Sequence, residues 1–280
     1  MRWRICSLAL ACAACLSGCQ ARDDAAPTPK ASDSPGLGQL PVADPPLDRE
    51  ALLLAVMRAA SAAALGDETG SEQQDLDGKR FELRLRFGCP GEDLAAANSR
   101  RWTHDPDSGV VRIQVGPEIE SETPLVQDAA GSDIEAVEGF WIHRPWQLKA
   151  GCPAPPAASA AEKDTQASAP SPGEPTAAAT NDAVPSLGIA QFFRETDART
   201  HRRGSRAYEA AENLSEGEAP SPAGYDLIVE GRLQSLPDGR VIACRAGGMQ
   251  RPACVISARF EEVSLERADT GELLAEWPRG

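Results

Sequence analysis

The clearest alternation of apolar and polar side chains lies between Phe81 and Phe87. Every second residue from Phe81 onward is apolar, and the residues between them, Glu82, Arg84 and Arg86, are charged. A period of two is typical of a β-strand with one face on a core and the other in solvent. This stretch therefore predicts a half-buried strand.

A helical pattern precedes that strand. Its apolar positions recur at near-helical spacing: Leu52, Leu53, Val56, Met57 and Ala60. Asp48 is placed as an N-cap, and Gly66 follows the last helical residue, as glycine commonly does. We therefore expect a core helix from Asp48 to about Leu65.

More strands are expected on both sides of a low-complexity stretch. Before it, Trp102 and residues 110–115 flank a glycine-containing turn, and residues 134–142 form another apolar run. After it, an apolar run opens at Leu187 and turn signals follow at 236–239, 245–253 and 269–271. The first group predicts a module of one helix with antiparallel strands over 47–152. The second predicts an antiparallel β-meander over 186–280.

The predicted fold class is α+β or mainly β, with one N-terminal helix and small antiparallel sheets. Residues 19–46 are rich in Pro, Asp, Ala and Ser, and residues 153–185 in Ala and Pro. Such composition indicates a disordered tether and a disordered linker. The two modules either stand apart or pack together as one domain.

Residues 1–18 carry Arg2 and Arg4, followed by an apolar run that is too short to span a bilayer. The run ends in Leu-Ser-Gly-Cys, with Cys19 last. This segment resembles the signal peptide and lipobox of bacterial lipoproteins. The resemblance implies cleavage before Cys19, a diacylglycerol on its sulfur and acylation of the new amino terminus, which together give stable anchoring. The alternative is an ordinary secretory signal.

The resemblance also implies a location in the cell envelope, with the body of the protein in the periplasm. Gln20 stands where the lipoproteins retained at the inner membrane carry Asp, so the outer membrane is favoured. The chain has 28 basic and 42 acidic residues and a net charge of -14. An acidic surface argues against nucleic acid and against adhesion to anionic lipid. The expected partners are the membrane, through the lipid anchor, and another envelope protein.

Four of the eight cysteines lie within the first nineteen residues. The remaining four predict disulfides in an oxidising compartment, where three pairings are possible. Because the linker separates them into two pairs, Cys89–Cys152 and Cys244–Cys254 are favoured. A zinc site is the rival, but the ligand spacing and a nearby histidine are missing. We expect no metal and no other cofactor.

The aromatic residues Trp102, Trp141 and Trp146 form one candidate site, together with His143. They could line a groove for a small ligand or glycan, although small domains also use tryptophan to fill a thin core, and the core interpretation is favoured. The basic segment 194–206 is a second candidate, represented by Arg199, Arg202 and Arg203. It could bind an anionic partner, but pairing with neighbouring carboxylates is favoured.

No nucleophile–base pair is recognisable from spacing, and the common hydrolase and nucleotide-binding motifs are missing. The sequence therefore predicts a non-enzymatic structural or assembly component of the envelope. The alternative is a lipoprotein that binds a small ligand or glycan through an aromatic surface. A hydrolase is the least favoured interpretation.

Overall fold

The computed structural model describes residues 44–66, 70–90, 99–131, 134–153, 186–198, 202–247 and 250–279, within one unit, Asp44–Gly280. Cys19, Arg199 and the signal segment lie outside the described residues. So do most of the tether and of the linker.

The described chain is mainly β, with two α-helices and a short 3-10 helix. The helices are α1 (Arg49–Ala64), the 3-10 helix (Gly70–Leu76) and α2 (Pro124–Ala130). The strands are β1 (Arg80–Phe87), β2 (Arg100–Asp105), β3 (Val110–Val115), β4 (Ile134–Trp141), β5 (Leu187–Arg194), β6 (Tyr208–Asn213), β7 (Tyr225–Leu233), β8 (Ile242–Gly247), β9 (Gln250–Arg267) and β10 (Leu273–Pro278). Among the described residues, no helix combines the length and the apolar character needed to cross a bilayer.

Helix α1 starts at a side-chain cap and buries one face. The Asp48 carboxylate accepts a hydrogen bond from the Ala51 amide at 2.9 Å, which satisfies one of the free amides of the first turn. Leu52, Leu53 and Val56 are buried against β8 and β9. The cap and the apolar stripe together place α1 on one face of the main sheet.

Strand β9 organises the seven-stranded sheet, whose main order is β1-β7-β9-β5-β4. It is 18 residues long and pairs with two strands along each edge. The Ser257 peptide accepts from Gln234 and donates to Val241, so β7 and β8 follow one another along the same edge. Strands β5 and β10 occupy the opposite edge, β5 in parallel and β10 antiparallel.

The predicted meander is wrong at its first connection. Strands β7 and β8 do not pair with each other, because they pair one after the other with the same edge of β9. The turn at 236–239 connects β7 to β8, and both strands lie along the same edge of β9. The last pair of β7 is Leu233↔Ala258 and the first pair of β8 is Ile242↔Ile256. A long continuous strand can satisfy the amides of both shorter strands, which the spacing of turns does not reveal.

Both predicted modules contribute strands to this one sheet. Strand β1 pairs with β7 along its whole length, from Arg80↔Arg232 to Phe87↔Tyr225. Strand β4 pairs with β5 in the same way, across the stretch that had been predicted as a linker. The core is therefore shared between residues before and after that stretch.

Two apolar clusters lie on opposite faces of the sheet. The larger contains residues from α1, the main sheet and the small sheet β2-β3-β6, for example Leu52, Ile113 and Ile256. The smaller lies beneath α2 and includes Val126 and Val255. Adjacent residues of β9 enter different clusters, as expected for a strand whose two faces are both covered.

Both favoured disulfides are present. Cys89 lies two residues after the end of β1, and its disulfide joins it to Cys152, which follows the 143–151 loop. Cys244–Cys254 is a cross-strand pair between β8 and β9. The sequence separations are 63 and 10 residues. Loop-closure entropy therefore predicts unequal contributions to stability.

We expect the Cys89→Ser/Cys152→Ser variant to lose about 4 kcal/mol of unfolding free energy, and the Cys244→Ser/Cys254→Ser variant about 3 kcal/mol. Urea unfolding of each double variant beside the wild type measures the difference. A larger loss for the shorter loop would contradict the entropic account. Removing both cysteines of a pair in each case keeps stray thiols out of the comparison.

Candidate functional site

Glu118 lies at the centre of a buried polar cluster between the small sheet and β4. Its carboxylate is 2.5 Å from Arg100 Nη2, the first residue of β2, and it accepts a hydrogen bond from the Ser99 hydroxyl at 2.5 Å. The Trp141 amide at the end of β4 also donates to it, at 2.8 Å. The same Arg100 nitrogen donates to the Trp141 carbonyl. These contacts tie β2 to the last residue of β4.

His143 faces this carboxylate, with Nε2 3.9 Å from Glu118 Oε1. Burial disfavours the ionised carboxylate, but the Arg100 charge, the Ser99 hydrogen bond and His143 outweigh it and hold the pKa of Glu118 below its usual value. A carboxylate with a lowered pKa is a weak general base near neutrality. With these partners, Glu118 joins β2 to the last residue of β4.

A small cavity adjoins this cluster, and we call it the Arg100 cavity. Its volume is about 10 Å³ and its wall includes four guanidinium side chains, those of Arg49, Arg86, Arg100 and Arg144, as well as His143. Arg49 comes from the start of α1 and donates to the carbonyls of the 143–147 loop. The helix, β1, β2 and the loop before Cys152 thus meet around one cationic space.

The structure does not bring the three tryptophans together. Trp102 is half-buried in the larger apolar cluster, where its ring meets Tyr225 edge-on at 6.2 Å. Trp141 packs against the smaller cluster on the other face of the sheet. Trp146 is 68% exposed. The two indoles on the strands act as packing groups, and the third stands alone on the surface.

Two of the three candidate arginines are described, and both fold back onto the protein. Arg202 forms an ion pair with Glu135 at 2.7 Å and lies 5.6 Å from the ring centre of Phe193. Arg203 lies 4.3 Å from the ring centre of Tyr208. These contacts match the interpretation in which the basic segment pairs internally, although the carboxylate partner lies on β4 and not within the segment.

Two buried triplets, each of one tyrosine, one glutamate and one arginine, join the small sheet to the main sheet. In the first, Tyr208 of β6 donates to Glu138 of β4 at 2.6 Å, and Arg279 contacts both. In the second, Tyr225 of β7 donates to Glu212 of β6 at 3.2 Å. Arg267 of β9 completes it, 2.7 Å from Glu212. Strand β6 contributes to both.

A second opening is a groove of about 620 Å³. It lies where β5 and β10 leave β9, and we call it the β5–β9 groove. Its wall combines aromatic, amide and charged side chains, among them Gln191, Phe192, Phe193, Gln234, Arg259 and Phe260. Its described wall contains no tryptophan. An open, partly apolar groove of this volume is suited to binding.

Sequence reasoning missed the residues that build these sites. Glu118, Arg100, Glu138 and Arg279 were not singled out, because isolated charges near strands usually face solvent. One available signal was the placement of Glu138 beside apolar residues in the predicted strand 134–142. Within the described ranges, no cluster of three or more metal-ligating side chains occurs.

Comparisons with known proteins add no relative. No protein-family model, no curated protein and no solved structure matches the chain.

Replacing Glu118 with Gln should lower the unfolding free energy at neutral pH by roughly 3 kcal/mol, because the change removes one partner of a buried ion pair. Because the pKa of Glu118 is lowered in the folded state, its ion pair stabilises the protein fully above the ordinary glutamate pKa of about 4.3. This stabilisation is lost as pH falls through the pKa of the folded state. Glu118→Gln should therefore flatten the acid side of the stability profile. Glu120→Gln, at an exposed position nearby, is the control; equal profiles for both variants would contradict this role.

The two tyrosines of the sequence, Tyr208 and Tyr225, allow a spectroscopic test of the triplets. Burial, followed by the charges of Glu138 and Glu212, raises the pKa of both phenols. Stability from these groups is complete below the unfolded pKa of about 10 and is lost as pH rises above it. We expect the tyrosinate absorbance of the native protein to appear at a pH well above the midpoint pH of the titration in urea. Coincident titrations would show that the phenols are not held as described.

Proposed function

We propose that this protein is a lipid-anchored component of the bacterial envelope, favoured for the outer membrane, that binds another envelope protein and catalyses no reaction. The observation that carries the proposal is the pair of disulfides, Cys89–Cys152 and Cys244–Cys254, in the body behind the lipobox-like segment. Structural disulfides persist in oxidising compartments, which is where a chain with such a leader would be delivered.

A binding role is supported by how the polar residues are used. Glu118 is bonded to Arg100, Ser99 and the Trp141 amide. Within each triplet, the glutamate is bonded to the tyrosine and to the arginine. Groups held in this way fasten strands together and leave little freedom for acid–base chemistry. We therefore propose a functional site on the surface.

The β5–β9 groove is the surface that we assign to the partner. Phe192 provides a half-buried apolar contact, and Arg259, whose side chain is exposed and paired with Glu261 at 2.9 Å, provides a cation in a chain whose net charge is -14. Aromatic and arginine side chains are enriched at protein interfaces. A partner segment with an apolar anchor flanked by carboxylates would suit this combination.

A second candidate is a lipoprotein that binds a small ligand. The groove volume of about 620 Å³ favours it, because ligand pockets commonly have volumes of about 300–1,000 Å³. Its apolar contacts would come from Phe192, Phe193 and Phe260, in place of the indoles expected from the sequence.

Photocrosslinking in intact cells tests the proposal. Benzoylphenylalanine replaces Gln234, an exposed residue of the groove wall, or, as the matched control, Met57, an exposed residue of α1. We expect a discrete protein adduct in the membrane fraction from position 234 and none from position 57. Adducts at neither position, or the same adducts at both, would contradict a partner at the groove.

The same cells test the anchor. Changing Cys19 to Ser should move the protein from the membrane pellet to the soluble fraction and remove the lipid mass from its amino terminus. Retention in the pellet with an unchanged mass would refute lipidation, independently of the crosslinking result.

A further inference from the structure

Arg100 has more hydrogen-bonding capacity than its protein neighbours use. Its side chain is 1% exposed, and Nη2 provides the contacts with Glu118 and the Trp141 carbonyl. Its Nε and Nη1 are buried, and no group of the described residues accepts a hydrogen bond from either of them. Because a buried donor left unsatisfied costs about 1–3 kcal/mol, and more when it is charged, these atoms point to an additional acceptor.

The charges around the cavity indicate the sign of that acceptor. Of the four guanidinium groups in the wall, Arg86 is neutralised by a two-point ion pair with Asp226, and Arg100 by Glu118. Arg49 donates to main-chain carbonyls, which carry no net charge. Among the described residues, Arg49 therefore forms no ion pair with a carboxylate, in a chain that is acidic overall.

The pKa of Arg49 reflects the positive charges around it. Its burial, followed by repulsion from Arg100 and Arg144, lowers the pKa of its guanidinium. An anion between these side chains would relieve that repulsion, and the low effective dielectric of a buried site would strengthen its attraction to each of them.

The size of the cavity selects among anions. A volume of about 10 Å³ is close to that needed for a single water molecule. Among the common anions, a monatomic halide is the smallest and comes nearest to this volume, whereas a phosphate, a sulfate or an organic carboxylate needs much more space. The ligand class is therefore narrower than the charge alone would indicate.

We propose that the Arg100 cavity binds one chloride-sized monovalent anion, which accepts hydrogen bonds from Arg100 Nε and Nη1. The anion joins the start of α1, β1, β2 and the loop that leads to Cys152, because the cavity wall is drawn from all four. It is a structural ligand, and its binding is independent of the function proposed for the groove.

The first test is thermal unfolding of the purified full-length protein at constant ionic strength, with chloride replacing gluconate, an anion too large for the cavity. We expect Tm to rise with the logarithm of the chloride concentration above Kd, by roughly 3–6 °C when chloride reaches about ten times its Kd. Arg101→Gln is the matched control, because Arg101 is the exposed neighbour of Arg100 on β2 and bonds to Gln114. It should keep the full chloride response.

Variants of the Glu118–Arg100 pair separate the anion from general salt effects. Glu118→Gln removes the competing carboxylate and should strengthen the chloride response. Arg100→Gln/Glu118→Gln, which leaves no unpaired buried charge, should abolish it. A response of equal size in the double variant would overturn the proposal.

A second test uses the wild type alone and so does not depend on the folding of any variant. Crystals soaked in sodium bromide should show an anomalous peak in the Arg100 cavity, within hydrogen-bonding distance of Nε and Nη1. A cavity that contains only water, with no peak and no difference between chloride and gluconate, would refute the site.

Discussion

The attachment of the small sheet to the main sheet depends on two buried triplets, each of one tyrosine, one glutamate and one arginine. Strand β6 supplies Tyr208 to one and Glu212 to the other, so it is held from both ends. Buried charges are costly unless each has its partner, and breaking such a pair costs about 3–5 kcal/mol. The triplets therefore impose one arrangement on the two sheets, because a shifted strand would leave an ion unpaired.

The features that local patterns could predict are those whose cause is local. The alternation from Phe81 to Phe87 corresponds to β1, and the favoured cysteine pairs are joined in the structure. The pairing of strands was not predictable in the same way. Strand β9 runs through a stretch that had been assigned to a loop and a strand, and its parallel contact with β5 joins residues far apart in the chain. Helix α2 is short and its apolar pattern is too brief to stand out.

The candidate sites show the same limit. The residue types chosen from the sequence, tryptophan, histidine and arginine, do lie near the polar clusters, since Trp141 and His143 both approach Glu118. The residues that organise those clusters were missed because each contact joins positions on different elements or on the segments that follow them. Arg100 and Glu118, for instance, meet across the hairpin of β2 and β3. A single charge within an apolar strand is the one sequence feature that hints at such a partner.

The order of the strands along the chain has a consequence for folding. Strand β1 pairs with β7, and β7 in turn with the second half of β9, while Arg279, which follows β10, completes a triplet with Glu138 of β4. The core cannot close until the chain from β1 to Arg279 is available. Chains dominated by such distant contacts fold slowly. On the proposed route, the polypeptide would therefore cross the membrane still extended and acquire its shape only afterwards, with its amino end already fixed to lipid.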